Sequence, residues 1–219
     1  MCGRFSLGKD LKTISERFDV PPVPFEWFPR YNIAPTQDSL VVVEEDNHHA
    51  LKRMKWGLAT KWRGSMPVIN CRAETASAKP LFRESFQKRR CLIPADGFYE
   101  WKKGGATKIP YRVVIKPEGI FAFAGLWDIC RDDKGTDIAC FTILTTVSNG
   151  CVAKLHDRMP VILRKQDELA WLDSTLHDTQ KLEHLLLPYP EKEMTAYEVL
   201  PIVNSWKNET PDCFLPANK

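Results

Sequence analysis

The stretch Arg90-Cys91-Leu92-Ile93-Pro94-Ala95-Asp96-Gly97-Phe98-Tyr99-Glu100-Trp101-Lys102 decides the fold. Two strand candidates, Arg90 to Ile93 and Phe98 to Lys102, follow each other with no room for a crossover helix between them. The pattern continues through Tyr111 to Ile115, Phe121 to Leu126 and Ala139 to Thr146. Turn residues punctuate it at Gly104-Gly105, Pro117-Glu118-Gly119 and Asp132-Asp133-Lys134-Gly135. Upstream, Leu40 to Glu45 and Leu51 to Trp56 flank a polar turn at Asp46-Asn47; downstream, Met159 to Leu163 and Thr195 to Leu200 read as strands. Helical spacing is confined to short segments. Asp10 to Phe18 presents Leu11, Ile14 and Phe18 on one face and stops at Pro21-Pro22-Val23-Pro24. Leu81 to Lys88, a turn capped by Asn149 and reaching Leu155, Lys165 to Ser174 and Thr179 to Leu187 complete the set. Regular β-α-β alternation is missing, which argues against a doubly wound parallel sheet. The expectation is an α+β protein, one domain over 1–219, built on a largely antiparallel, barrel-like sheet with peripheral helices and no internal repeat.

With 219 residues, 43% hydrophobic and 27% charged, the chain has an ordinary globular composition. No run approaches the apolar length that spans a bilayer, and Cys2-Gly3-Arg4 does not lead into a signal peptide, so a cytoplasmic location is expected. The seven cysteines, at 2, 71, 91, 130, 140, 151 and 213, are odd in number and form no C-x-x-C, which points to a reducing compartment. His48, His49, His177 and His184 lack ligand spacing, so neither metal nor cofactor is expected. The net charge of +3 is uneven. Between Lys52 and Lys116 sixteen Lys/Arg face four acids, giving +12 there and −9 elsewhere. Trp56, Trp62, Phe82, Phe86, Phe98, Tyr99 and Trp101 are interleaved with those bases, a combination suited to single-stranded nucleic acid.

The start of the chain carries distinctive chemistry. Removal of Met1 from Met1-Cys2-Gly3-Arg4-Phe5 leaves Cys2 with an α-amine and a thiol on adjacent carbons. Such a 1,2-aminothiol attacks an aldehyde with nitrogen and closes with sulfur to a thiazolidine; it can also serve as an N-terminal nucleophile on a carbonyl. Glu100 shares a strand face with Phe98, where partial desolvation would raise its pKa toward a proton-shuttling range; the alternative is an exposed carboxylate beside Lys102. His156 suits proton transfer or a structural hydrogen bond, and Asn70 suits orienting a substrate oxygen or capping a turn.

These segments, in order along the chain, resemble the SOS-response-associated peptidase family, also called abasic-site processing proteins. The resemblance runs through Met1-Cys2-Gly3-Arg4-Phe5, Tyr31-Asn32-Ile33-Ala34-Pro35, Trp56-Gly57 and Asn70-Cys71-Arg72-Ala73-Glu74-Thr75. It continues through Pro94 to Trp101, Ala124-Gly125-Leu126-Trp127 and His156-Asp157-Arg158-Met159-Pro160, with Cys71 replacing the family's usual alanine. The resemblance implies a protein that captures an abasic site in single-stranded DNA covalently. Carried over by position, Cys2 is the nucleophile, Glu100 assists proton transfer, His156 helps open the sugar ring and stabilise the Schiff base, and Asn70 holds the sugar or the N-terminal backbone. Arg4, Arg72 and Arg158 would bind phosphates, Trp62 would stack on a base, and Thr145 would contact a phosphate. The partner implied is abasic single-stranded DNA, engaged by a monomer with no membrane. A cysteine peptidase acting mainly on its own Met1–Cys2 bond, and a noncovalent single-strand-binding module, remain alternatives.

Overall fold

A computed structural model of the chain describes residues 2–46, 48–58, 66–104, 107–132 and 134–217, without the side chains at 103, 104 and 107. The first elements are β1 (Phe5–Leu7), α1 (Leu11–Phe18), β2 (Arg30–Ile33), β3 (Asp38–Glu45), β4 (His48–Trp56) and β5 (Asn70–Arg72). Next come α2 (Ala73–Ala76), α3 (Pro80–Lys88), β6 (Arg90–Ala95), β7 (Gly97–Gly104), β8 (Thr107–Ile115), β9 (Phe121–Arg131) and β10 (Asp137–Val147). The chain continues with α4 (Gly150–Ala153), β11 (Arg158–Pro160), β12 (Ile162–Leu163), α5 (Glu168–Leu172), α6 (Thr179–His184) and β13 (Met194–Glu198).

The expected α+β class holds, and the sheet does close into a barrel. β10 pairs with β4, β4 with β3, β3 with β6, β6 with β9, and β9 with β10 again, a ring of five strands. Four of those pairings are antiparallel and the β10–β4 seam is parallel. Closure removes the free edges that a twisted sheet otherwise exposes. A second, antiparallel sheet runs in the order β13-β8-β7-β1-β2.

The two strands of the decisive stretch do not pair with each other. β6 belongs to the barrel and β7 to the second sheet, so the chain changes sheets at Asp96-Gly97. Buried Asp96 anchors that corner. Ser6 Oγ donates to its Oδ1 at 2.6 Å, the Gly8 N–H to its Oδ2 at 2.7 Å, and Arg112 to its Oδ1 at 3.2 Å. Gly97 lacks a side chain for a physical reason: a Cβ there would fall 2.8 Å from Arg112 Nε. The corner thereby fixes β1 and, with it, the N-terminus.

Phe5 of β1 joins the sheets. Its ring meets Trp56 at 5.1 Å and Phe123 at 5.8 Å, both edge-on, and Phe98 meets the same Phe123 at 6.1 Å. Burying one such ring contributes about 2 kcal/mol, and Phe5 is fully buried. The helices lie outside. α1 starts at Asp10, which accepts from Thr13 N–H, and buries Ile14 and Phe18. The sequence expectation for Lys165 to Ser174 resolves into a 3-10 turn followed by α5, and the helix from Thr179 stops at His184.

Candidate active site at the N-terminus

β10 is longer than the barrel needs, and its surplus builds the site. Beyond the ring, residues 143–145 pair in parallel with β5, and residues 145–147 pair antiparallel with β11. Thr145 therefore stands opposite Arg72 on one side and Pro160 on the other. That juxtaposition brings the Asn70–Thr75 and His156–Pro160 motifs together, although 80-odd residues separate them in sequence. From the second sheet, the Tyr99 N–H donates to Arg4 O at 2.9 Å, laying the N-terminal segment along β7.

Cys2 is fully buried, and its carbonyl accepts from Asn70 Nδ2 at 2.8 Å. Burial pushes its thiol far above the usual thiol range, and the neighbouring Glu100 charge adds to the rise. Such a thiol keeps its proton at neutral pH. Asn70 Oδ1 is buried and has no hydrogen-bond partner, an acceptor left over beside the chain start.

Glu100 is 5% exposed, so it is the desolvated carboxylate rather than the solvated one. Burial raises its pKa to about 7, the positive chain terminus opposes that rise, and Asp157 adds to it. Asp157 thus reaches Glu100 electrostatically while its Oδ1 lies 2.7 Å from His156 Nδ1. The same ring nitrogen lies 3.0 Å from the Arg158 N–H. Without a proton, Nδ1 accepts from Arg158; with one, it donates to Asp157. His156 is placed to hold or release a proton beside a second proton carrier.

The three arginines differ. Arg72 is exposed and makes no ion pair with a described residue. Arg4 is committed within the fold: its Nη1 donates to Asn32 Oδ1 at 2.7 Å and Val203 O at 3.0 Å, and its guanidinium lies 5.7 Å from the Trp101 ring centroid. Arg158 forms a two-pronged pair with Glu74, at 2.6 and 2.9 Å, and its Nη2 also donates to Thr145 O. That pair holds the Glu74 carboxyl below its ordinary range. Thr145 is fully buried between β5 and β11, its hydroxyl donating to Cys71 O at 3.3 Å and lying 3.4 Å from Arg158 Nη2. Trp62 lies outside the described residues.

The basic window is also less available than its count suggests. Arg112 pairs with Asp96, Arg89 with Glu84 and Asp128, and Lys52 with Glu45, while buried Arg90 donates to Trp171 O and Phe86 O. Sequence reasoning gave no role to Glu74, Asp157 or Asn32. All three sit inside quoted motifs, and a carboxylate or amide among arginines was the signal. Among the described residues no group of three or more His, Cys, Asp or Glu could hold a metal ion, and no helix is long and apolar enough to cross a membrane.

Comparison with known proteins identifies the family of the chain. The family described as SOS response associated peptidase (SRAP) matches residues 1–206. The chain is 41% identical over 219 residues to the abasic site processing protein YoqW of Bacillus subtilis (strain 168), covering 97% of this chain and 98% of the relative. It is 29% identical to the abasic site processing protein YedK of Escherichia coli (strain K12), covering 99% of this chain and all of the relative. A crystal structure of a protein from Bacteroides thetaiotaomicron superposes with a TM-score of 0.88 at 28% identity, covering 99% of this chain and 100% of that one.

Proposed function

The chain belongs to the SOS response associated peptidase family, and from that premise we propose that it processes abasic sites in single-stranded DNA by covalent capture through Cys2. The observation that carries the reading is the grouping at the chain start. Asn70 grips the Cys2 carbonyl, buried Glu100 acts on the Cys2 thiol, and Asp157 of the His156 loop acts on Glu100.

With Met1 attached, the Cys2 nitrogen is an amide and no nucleophile. Removal of Met1 creates the α-amine. His156 moves the proton that opens the deoxyribose ring and exposes the C1′ aldehyde. The neutral amine of Cys2 adds to C1′. Protonated Glu100 supplies the proton with which the carbinolamine hydroxyl leaves as water, giving a protonated imine. The thiol then adds to the same carbon, and its proton returns to the Glu100 carboxylate, leaving the ring nitrogen neutral. The product is a thiazolidine, and the balance is aldehyde plus protein less one water. The raised thiol pKa orders these events, nitrogen first and sulfur second. The Glu100 pKa of about 7 leaves both its forms populated at neutral pH, as a group that gives and then takes a proton requires.

A self-peptidase would use the same thiol on the Met1–Cys2 bond, whose carbonyl belongs to Met1. Asn70 holds the following carbonyl instead. It therefore positions the terminal residue without polarising the bond to be cut, which favours the DNA reading for the assembled site.

The test is a denaturing gel of the processed protein with a single-stranded oligonucleotide carrying one abasic site. A heat-stable slow band is expected, lost in Cys2→Ser and in protein retaining a residue ahead of Cys2. Cleavage of casein or peptides with abasic DNA ignored would support the peptidase instead.

A further inference from the structure

Cys2, Gly3 and Arg4 precede β1 and lie in no strand. Such a chain start frays unless it is tied down, and closing a five-membered ring needs the thiol in one place. Three ties hold it. Asn70 donates to the Cys2 carbonyl, and Tyr99 of β7 donates its N–H to Arg4 O at 2.9 Å. Both of these come from elements of the site. The third comes from the far end of the chain and runs through the Arg4 side chain.

Residues 199–216 form a strap with two 3-10 turns, Pro201–Asn204 and Pro211–Phe214, packed on Tyr99 through Val199, Val203 and Cys213. Asn32, fully buried on β2, stands between this strap and Arg4. Its Oδ1 accepts from Arg4 Nη1 at 2.7 Å, and its Nδ2 donates to the carbonyls of Ser205 and Asn208, both at 2.9 Å. A guanidinium offers only donors and a carbonyl only an acceptor, so an amide satisfies both sides where a carboxylate or an apolar side chain would not. Glu209 fixes Asn32 in turn. β2 is the edge of the second sheet. Glu209 Oε1 accepts the backbone N–H of Asn32 at 2.8 Å and that of Tyr31, while its Oε2 accepts from Arg30 Nε at 2.9 Å. The other end of Arg4 faces the nucleophile: Cys2 Sγ donates to Arg4 O at 3.8 Å. An S–H group is a weak donor, so this contact aims the sulfur and still lets it go.

We infer that the strap positions the nucleophile: Glu209 holds Asn32, Asn32 holds Arg4, and Arg4 O aims the Cys2 thiol. Asn32 and Glu209 are positioning residues, since neither touches the reacting atoms. The inference rests on the reading of Cys2 as a trap for abasic DNA and gives these two residues a part in its second bond. At the protonated imine two outcomes compete. In one, the thiol adds to C1′ and passes its proton to the Glu100 carboxylate, closing the ring. In the other, water takes a proton from C2′, the freed pair forms a double bond to C3′, and the 3′ phosphate leaves with the C3′–O pair, cutting the strand. A thiol already aimed favours closure.

The strap is tested first without DNA. Full-length protein lacking Met1 is pulsed with iodoacetamide, and mass spectrometry reads the labelling of each cysteine. Asn32→Ala and Glu209→Ala should each quicken labelling of Cys2 about tenfold, as expected when a local tie loses one charge-assisted hydrogen bond. Glu209→Gln keeps an oxygen for both N–H groups and should match the parent. Glu209 is partly exposed, so its variants carry the test where Asn32→Ala fails to fold. Cys91 and Cys140, buried on barrel strands, should label at the parent's rate in every variant. An equal rise at all three cysteines, or no rise at Cys2, would overturn the inference. With saturating abasic single-stranded DNA, the ratio of nicked strand to crosslink should rise about tenfold in the two alanine variants, and Asn32→Ala should add nothing to Arg4→Met. An unchanged ratio, or fully additive effects, would also overturn it. Failure of the unsubstituted protein to trap any abasic DNA would instead overturn the reading of Cys2, and the labelling would still decide whether the strap holds the terminus.

Discussion

Replacing Glu100 by glutamine should make the protein more stable above pH 7 while disabling it. The Glu100 carboxyl, buried beside the chain start, has its pKa raised from 4.5 to about 7, chiefly by desolvation. The folded state therefore holds that proton between pH 4.5 and about 7, where the unfolded chain releases it. Unfolding loses a proton across this window, so stability falls as pH rises through it. At about 1.4 kcal/mol per pH unit, the whole window amounts to about 3 kcal/mol. Glutamine has nearly the same shape and no such proton. Urea melts of both proteins at closely spaced pH values from 4 to 8 measure the difference, and other titrating groups cancel in it. The stability of Glu100→Gln relative to the parent should grow by about 3 kcal/mol from pH 4 to pH 8. Trapping of abasic DNA should meanwhile slow by at least a hundredfold, since glutamine neither gives nor takes the proton. Stability curves that run parallel over this range would refute the claim that Glu100 is held in a desolvated site.

Other substitutions probe the remaining contacts. Asn70→Ala frees the Cys2 carbonyl and should slow trapping at saturating DNA about tenfold, or ~1.4 kcal/mol of barrier, with affinity unchanged; a loss confined to affinity in an anisotropy titration would contradict this. Glu74→Ala releases Arg158 from its carboxylate partner and should steepen the salt dependence of single-strand binding by about 0.7; weaker binding with a shallower slope would show that Arg158 needs Glu74 to serve DNA at all. Asp96→Asn removes the buried counter-charge of Arg112 at the corner that fixes β1, leaving only the exposed Glu118 at 3.9 Å, and a urea melt should register a loss of about 3 kcal/mol. Cys2→Ser keeps the amine and removes the closing thiol, so sequencing gels should show nicked strand in place of the crosslink, from β-elimination of the stranded imine.

Much of the barrel is legible because its strands alternate and its turns carry Gly, Pro and Asp. β3, β4, β6, β9 and β10 of the barrel, and β7 and β8 of the second sheet, all fall where apolar runs meet such residues. The parallel β10–β4 seam and the flanking of β10 by β5 and β11 leave no local mark, because they are pairings between distant segments. β2 is invisible for a related reason: Tyr31 and Asn32 accept their place from Glu209, whose carboxylate receives both backbone N–H groups from far along the chain. Glu100 could be read as desolvated because Phe98 sits two residues away on the same face. Thr145 could not be read as buried, since its cover comes from β5 and β11 together. The charge count between Lys52 and Lys116 likewise says nothing of Arg112 facing Asp96 or of Arg90 inside its cage of carbonyls.

Intact-mass spectrometry of the product formed between the purified protein and an abasic oligonucleotide tests covalent capture most directly. The account predicts a species equal to the protein lacking Met1 plus the oligonucleotide less one water, with fragmentation placing the DNA on Cys2. An adduct on a chain that retains Met1, or one that maps to a lysine or to another cysteine, would contradict it.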